Sequence, residues 1–138
     1  MKTDNNIKDD VYDMLLHSGL ASEVSGEIRK VSRSPISENE DVIISVLAND
    51  SPKQVQEAIV NVNIYIKDIR LTATNDEEYF VEDTNRTAVV SEIIAGMFEN
   101  AYVGESYRIT LDRLRVLPVE ATHEHCINVR LLYQQINS

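Results

Sequence analysis

The chain reads as an α+β domain: a mainly antiparallel sheet of about five strands with two helices packed on one face. Three observations predict it. Residues 61–67 alternate strictly, with Asn61, Asn63, Tyr65 and Lys67 on one side and Val62, Ile64 and Ile66 on the other. Successive side chains of a strand point to opposite faces, so this is a strand with one dry face and one wet face. Residues 87–98, TAVVSEIIAGMF, place Val89, Val90, Ile93, Ile94, Met97 and Phe98 in one stripe at helical spacing. Residues 127–136, INVRLLYQQI, alternate again.

Each element follows in order. Ile7 to Val24 carries apolar residues three and four apart, the period of an amphipathic helix. Asp4 or Asn5 is placed to cap it, Asp9 and Asp10 suit its first turn, and a stop falls between Gly19 and Gly26. Glu27 to Ser32 is a short strand, and Ser34-Pro35 opens a loop. Asp41 to Ala48, DVIISVLA, is an apolar run suited to a strand flanked by neighbours. Asn49 to Pro52 is a turn, followed by a long strand from about Gln54 to Leu71. Thr72 to Asn85 is acidic and reads as a loop with at most a short strand or turn, and it contains Tyr79 and Phe80. Thr84 or Asn85 caps the second helix, which runs to about Asn100, and Gly104 breaks the chain after it. Tyr107 to Leu117 changes apolar phase at Asp112–Arg113, the mark of a bulge. Pro118 suits a strand end or sheet edge.

The 138 residues fit a single domain, 1–138, able to bury a core without disulfide or metal. The formal net charge of −10 gives no electrostatic reason to grip nucleic acid. The short basic cluster Arg29, Lys30 and Arg33 reads as a solvated strand edge rather than an anion site. A single cysteine, Cys126, forbids an internal disulfide and fits a reducing compartment. The polar start MKTDNNIKDD shows no signal peptide, and no apolar run is long enough to span a membrane. The expected location is the cytoplasm.

Chemistry is sparse. His123-Glu124-His125-Cys126 is the strongest candidate, because on a strand His123 and His125 share a face and could meet one metal. No second cluster completes a four-ligand site, so two exposed histidines in a hairpin loop are expected, with no metal and no cofactor. Cys126 lacks a nucleophile's signature and reads as a half-buried thiol, and His17 carries no functional weight. The acids of Asp76–Glu78 and Glu82–Asp83 are adjacent on a presumed loop, which suits a solvated face and not an acid–base pair. No phosphate-binding, dinucleotide, nucleophile-elbow or zinc-protease motif occurs. Tyr65, Tyr107 and Tyr133 lie on strands and could form a stacking platform for bases, but the acidic balance argues against a nucleic-acid site.

The succession GEIRKVS, DVIISVLA, VNVNIYIKDI, TAVVSEIIAGMF, YRITLDRLRVL and INVRLLYQQI behind an N-terminal helix resembles the tail-terminator and head–tail joining proteins of long-tailed phages and prophages. The resemblance spans nearly the whole chain and is one of layout. It implies a non-enzymatic α+β subunit that assembles into a ring, commonly a hexamer, capping the tail tube and joining it to the head. The partners implied are sibling copies and tail-tube and head-completion proteins, first in the cytoplasm and then in the virion. There are no catalytic residues to carry over. Tyr65, Tyr79 and Phe80 are the candidate subunit contacts. The HEHC segment departs from the pattern. Two other readings stay open: a small metal-binding protein or enzyme using His123 and His125, and an adaptor that binds a partner by strand addition.

Overall fold

The computed structural model describes residues 1–50 and 55–136. Three helices, α1 (Asp4–Leu16), α2 (Gly19–Glu23) and α3 (Thr84–Met97), accompany eight strands. These are β1 (Ile28–Arg29), β2 (Val42–Asp50), β3 (Val55–Lys67), β4 (Ile69–Thr72), β5 (Glu78–Val81), β6 (Tyr102–Val103), β7 (Tyr107–Val119) and β8 (Glu124–Ile136). A short 3-10 turn, Glu120–Thr122, joins β7 to β8.

The main sheet has six strands in the order β1-β2-β3-β8-β7-β6, and β4 and β5 form a separate two-stranded ribbon. The sheet is antiparallel throughout except where β1 runs parallel to β2. The expected five antiparallel strands with two helices are therefore corrected to a mixed six-stranded sheet with three helices. Residues 102–103 gave no signal because two residues cannot display a period of two. The long strand expected to reach Leu71 breaks at Asp68, where the chain leaves the sheet for the ribbon. The expected turn at Ser51-Pro52 and the strand start at Gln54 lie outside the described residues.

Alternation on β3 is as the sequence predicts. Gln56, Ala58, Val60, Val62, Ile64 and Ile66 are buried. Their partners on β8, Ile127, Val129, Leu131 and Tyr133, share that face. On β7 the register shifts between Leu111 and Arg113. This bulge keeps Ile109 and Leu111 before it, and Leu114 and Val116 after it, against one core. Ile7, Val11, Met14 and Leu15 of α1, Leu20 of α2, and Val90 and Ile94 of α3 complete that core. Pro118 continues β7 opposite His125 on a stretch with no outer neighbour, where its missing N–H costs no ladder bond.

The helix ends differ from expectation in instructive ways. Thr3, not Asp4 or Asn5, caps α1: its hydroxyl accepts the Asn6 N–H at 3.2 Å, and Asn6 Oδ1 accepts the Thr3 N–H at 3.0 Å. The first helical run does not continue to Val24. His17 Nδ1 and Ser18 Oγ bond back to the Asp13 and Leu15 carbonyls at 2.8 and 2.5 Å, which ends α1 and lets α2 restart at Gly19. Asp83, not Thr84 or Asn85, caps α3, accepting the Arg86 N–H at 3.1 Å. The stripe on α3 is rotated: Thr87, Val90 and Ile94 are buried, Ile93, Met97 and Phe98 lie at its margins, and Val89 is exposed.

Candidate functional site

Charge pairing organises the end of the molecule where β1, β2 and β8 begin. Arg33 is the centre. Its Nε donates to Asp41 at 3.0 Å, its Nη1 to Glu124 at 2.9 Å and its Nη2 to the Asn39 carbonyl at 2.9 Å. Glu124 and Asp41 are only 2% and 5% exposed. The guanidinium also lies 4.3 Å from the Tyr65 ring centroid. Burial pushes the Asp41 carboxyl up, but the Ser37 hydroxyl, the Glu27 N–H and Arg33 more than offset it and hold it below the ordinary 3.8. The solvated basic edge expected from the sequence is thus corrected. Arg33 is a half-buried bolt, Lys30 bonds Asp9 at 2.8 Å, and Arg29 lies 3.6 Å from Glu27. Glu27 and Asp41 lie near the cluster in sequence, but Asp9 and Glu124 are 21 and 91 residues from their partners, and spacing could not reveal those two.

A second bolt ties the helices together. Arg86 of α3 grips Glu40 through Nε at 2.6 Å and Nη2 at 2.7 Å, and reaches Glu23 and its carbonyl at 2.5 and 2.8 Å. Arg86 chiefly, helped by the Ser25 N–H, keeps the Glu40 carboxyl below its ordinary 4.5 despite burial.

The histidines do not converge. His123 adopts left-handed backbone (φ 54°) in the β7–β8 turn, and its ring stacks on Phe80 with centroids 3.7 Å apart. His125 sits half-buried on β8, with Nδ1 2.6 Å from Asp68 and Nε2 3.8 Å from Glu82. His123 is exposed in the hairpin turn as expected, His125 is half-buried on the strand instead, and the shared strand face is corrected, because β8 starts only at Glu124, after His123. Among the described residues no group of three or more His, Cys, Asp or Glu side chains could hold a metal. Glu82 also accepts the Thr87 hydroxyl at 2.7 Å, and Asp83 caps α3, so these two acids act structurally.

Cys126 is buried on the face opposite the helices, between Tyr65 and Leu117. Burial pushes its thiol up to about 11, with the Ile64 backbone a smaller opposing influence. A thiol of that kind is a poor nucleophile at neutral pH. In native protein at pH 8, Cys126 should react with an aromatic disulfide reagent at least about 100-fold more slowly than in denaturant. Equal rates would show an accessible, activated thiol.

The three strand tyrosines do not form one platform. Tyr133 and Tyr107 stack at 5.3 Å on the helix-covered face, where Tyr133 is fully buried and donates to Asp10 at 2.6 Å. Burial, and then Asp10, push the Tyr107 phenol up to about 12. Tyr65 lies on the opposite face, half-buried beneath Arg33. Of the three candidate contacts, Tyr79 and Phe80 are exposed on β5, at 47% and 37%, and the structure brings Phe80 to His123. Tyr65 lies apart from both ribbon residues on β3.

The hollows are shallow. One of about 540 Å³ lies between residues 35–38, Lys67–Arg70, Phe80 and His123. Its acids Glu38, Asp68 and Glu124 are engaged with Lys67, His125 and Arg33. Another of about 510 Å³ is lined, among the described residues, by Val55, Val103, Gly104, Tyr107, Arg108 and Gln134, with no carboxylate, histidine or thiol. No helix of the described residues is long and apolar enough to cross a membrane.

The face of the sheet away from the helices is the largest feature left unexplained by packing. Two adjacent rows cross it: Ser45–Asn61–Arg130–Arg113 and Ile43–Asn63–Asn128–Arg115. Asn128 donates to Asn63 at 2.7 Å. Arg113 and Arg130 are direct cross-strand partners, and the carboxylate nearest them, Asp112, is 3.8 Å from Arg130 Nε. That distance is too long for a hydrogen bond, and Arg130 Nε is buried without an acceptor. Sequence reading recognised a wet face on β3 but could not see that β7 and β8 bring arginines beside it.

No protein-family model matches the chain, and no curated protein matches it. Among solved structures, a chain in the virion of a native gene transfer agent particle is similar along 95% of both chains, with a TM-score of 0.52 and 15% identity. At that identity the likeness is one of fold: this chain shares its α+β architecture, over its full length, with a component of a virion particle.

Proposed function

We propose that the protein is a non-enzymatic structural subunit of a phage or prophage particle, of the tail-terminator or head–tail joining kind, that self-assembles into a ring. The observation that carries this reading is the end-to-end likeness to a chain of a virion particle. The engagement of Arg33, Asp41, Glu124, Arg86 and Glu40 in ion pairs that tie elements together agrees with a structural role. Its partners would be sibling copies, tail-tube proteins and head-completion proteins. It would work in the cytoplasm during assembly and then in the virion, with no cofactor.

Light scattering and negative-stain microscopy of purified protein should show closed rings with a central hole. Protein that stays monomeric at millimolar concentration, and still forms no ring on isolated tail tubes, sinks the reading. Phe80→Asp and Tyr79→Ala should weaken assembly more than they lower the melting temperature, and Phe80→Asp should give the larger thermal loss because it removes the stack on His123. Tyr65→Ala should lower both, since it removes the ring beneath Arg33. If Phe80→Asp lowers stability as much as assembly, Phe80 belongs to the fold and not to an interface.

A further inference from the structure

We propose that the arginine-bearing sheet face receives the acidic β4–β5 ribbon of a second copy of this chain, in a head-to-tail contact. The inference rests on the ring reading and names its interface. The two surfaces are opposite in character. On the sheet face Arg108, Arg113, Arg115 and Arg130 project from β7 and β8, interleaved with asparagines and with half-buried Ile43, Ile59 and Leu132, and the acid Glu57 of β3 lies at one end, in the row of Arg108. Arg130–Asp112 is the single ion pair these four arginines make among the described residues. Such a patch is unusual on a chain of net charge −10.

The ribbon offers the complement. It carries Asp76 and Glu77 at its turn, Glu78 paired with Arg70 on one face, and Ile69, Leu71 and Tyr79 exposed on the other. Its strands pair only with each other, apart from the main sheet, and its base is pinned to the body by the Phe80–His123 stack. An isolated two-stranded ribbon is marginal in water and needs a surface to pack against. Acids over arginines and aliphatics over aliphatics would satisfy both surfaces at once. Ribbon and sheet face are different patches, so the contact is heterologous, the kind that repeats around a ring. A nucleic-acid ligand fits less well. The face lacks a free aromatic platform, because its tyrosine lies beneath Arg33, and the field of an acidic protein opposes phosphate.

Charge reversal tests this. Arg113→Glu with Arg115→Glu forms one variant, and Asp76→Asn with Glu77→Lys, which spares the Arg70–Glu78 pair, the other. Sedimentation velocity, with circular dichroism as the folding check, should show each variant weakened in self-association by about 100-fold or more. An equal mixture should recover assembly, because each ribbon then meets a face of opposite charge. Rising salt should weaken the wild type. Recovery on mixing cannot come from a variant that fails to fold. If the wild type assembles and both variants assemble equally well, the ring reading stands and this interface is overturned. If the wild type never self-associates, both fall. If the arginine variant loses binding to a duplex DNA probe while assembling normally, the face serves nucleic acid and the inference is overturned.

Discussion

Arg33→Ala should lower the stability of the fold by about 3–5 kcal/mol, measured by chemical denaturation at neutral pH. Deleting this side chain leaves two carboxylates, Asp41 and Glu124, buried side by side without a cation. A buried pair contributes modestly while intact, because desolvation offsets much of its attraction. Removing one partner alone exposes the full desolvation cost of the other. The variant also uncovers Tyr65 and frees the 34–39 loop, whose Asn39 carbonyl Arg33 holds. Replacing Arg33, Asp41 and Glu124 together by apolar residues should be far milder than the single change. A loss below about 1 kcal/mol for Arg33→Ala would mean the cluster is hydrated and not a bolt.

The Arg33 and Arg86 clusters together set a pH dependence. The folded carboxyls of Asp41 and Glu40 lie below their ordinary 3.8 and 4.5. A depressed folded pKa adds stability that is complete above the ordinary value and is lost as pH falls through the folded one. Stability should therefore be flat from neutrality down to about pH 5 and drop below about pH 4. The advantage of wild type over Arg33→Ala should shrink across that drop.

Leu131→Ala should cost about 3–5 kcal/mol, with no change in the helix or strand content of the folded fraction. Leu131 is fully buried on β8, the strand that pairs with both β3 and β7. It stands beside Val60 and Leu111 in the sheet, beneath the helices. A side chain hemmed on two sides by paired backbone leaves a cavity that neighbours cannot easily fill, which places it at the costly end for such truncations. Thermal and urea melts would register it. A loss near 1 kcal/mol would show that the helices collapse onto the gap.

Where a side chain's role is set by its own strand, the sequence was readable. The alternation of 61–67 and the phase change at Asp112–Arg113 named the buried face of β3 and the bulge of β7 correctly. Where the role is set by a residue far along the chain, it was not. Arg33 seemed solvated because its partners are Asp41 and, 91 residues on, Glu124. His123 and His125 seemed to share a face because the αL turn at His123 leaves no mark in composition. The wet face of β3 was foreseen, while the arginines beside it depend on strand order, which periodicity does not encode.

That strand order also has a kinetic consequence. β8 is the last strand in chain order, yet it sits in the middle of the sheet between β3 and β7. While the ribosome is still making it, β3 and β7 have no partner for their inner edges, and the apolar side chains of both wait uncovered. Contacts between such distant segments form slowly, because a large loop must close first. The sheet therefore closes only after this strand has left the exit tunnel.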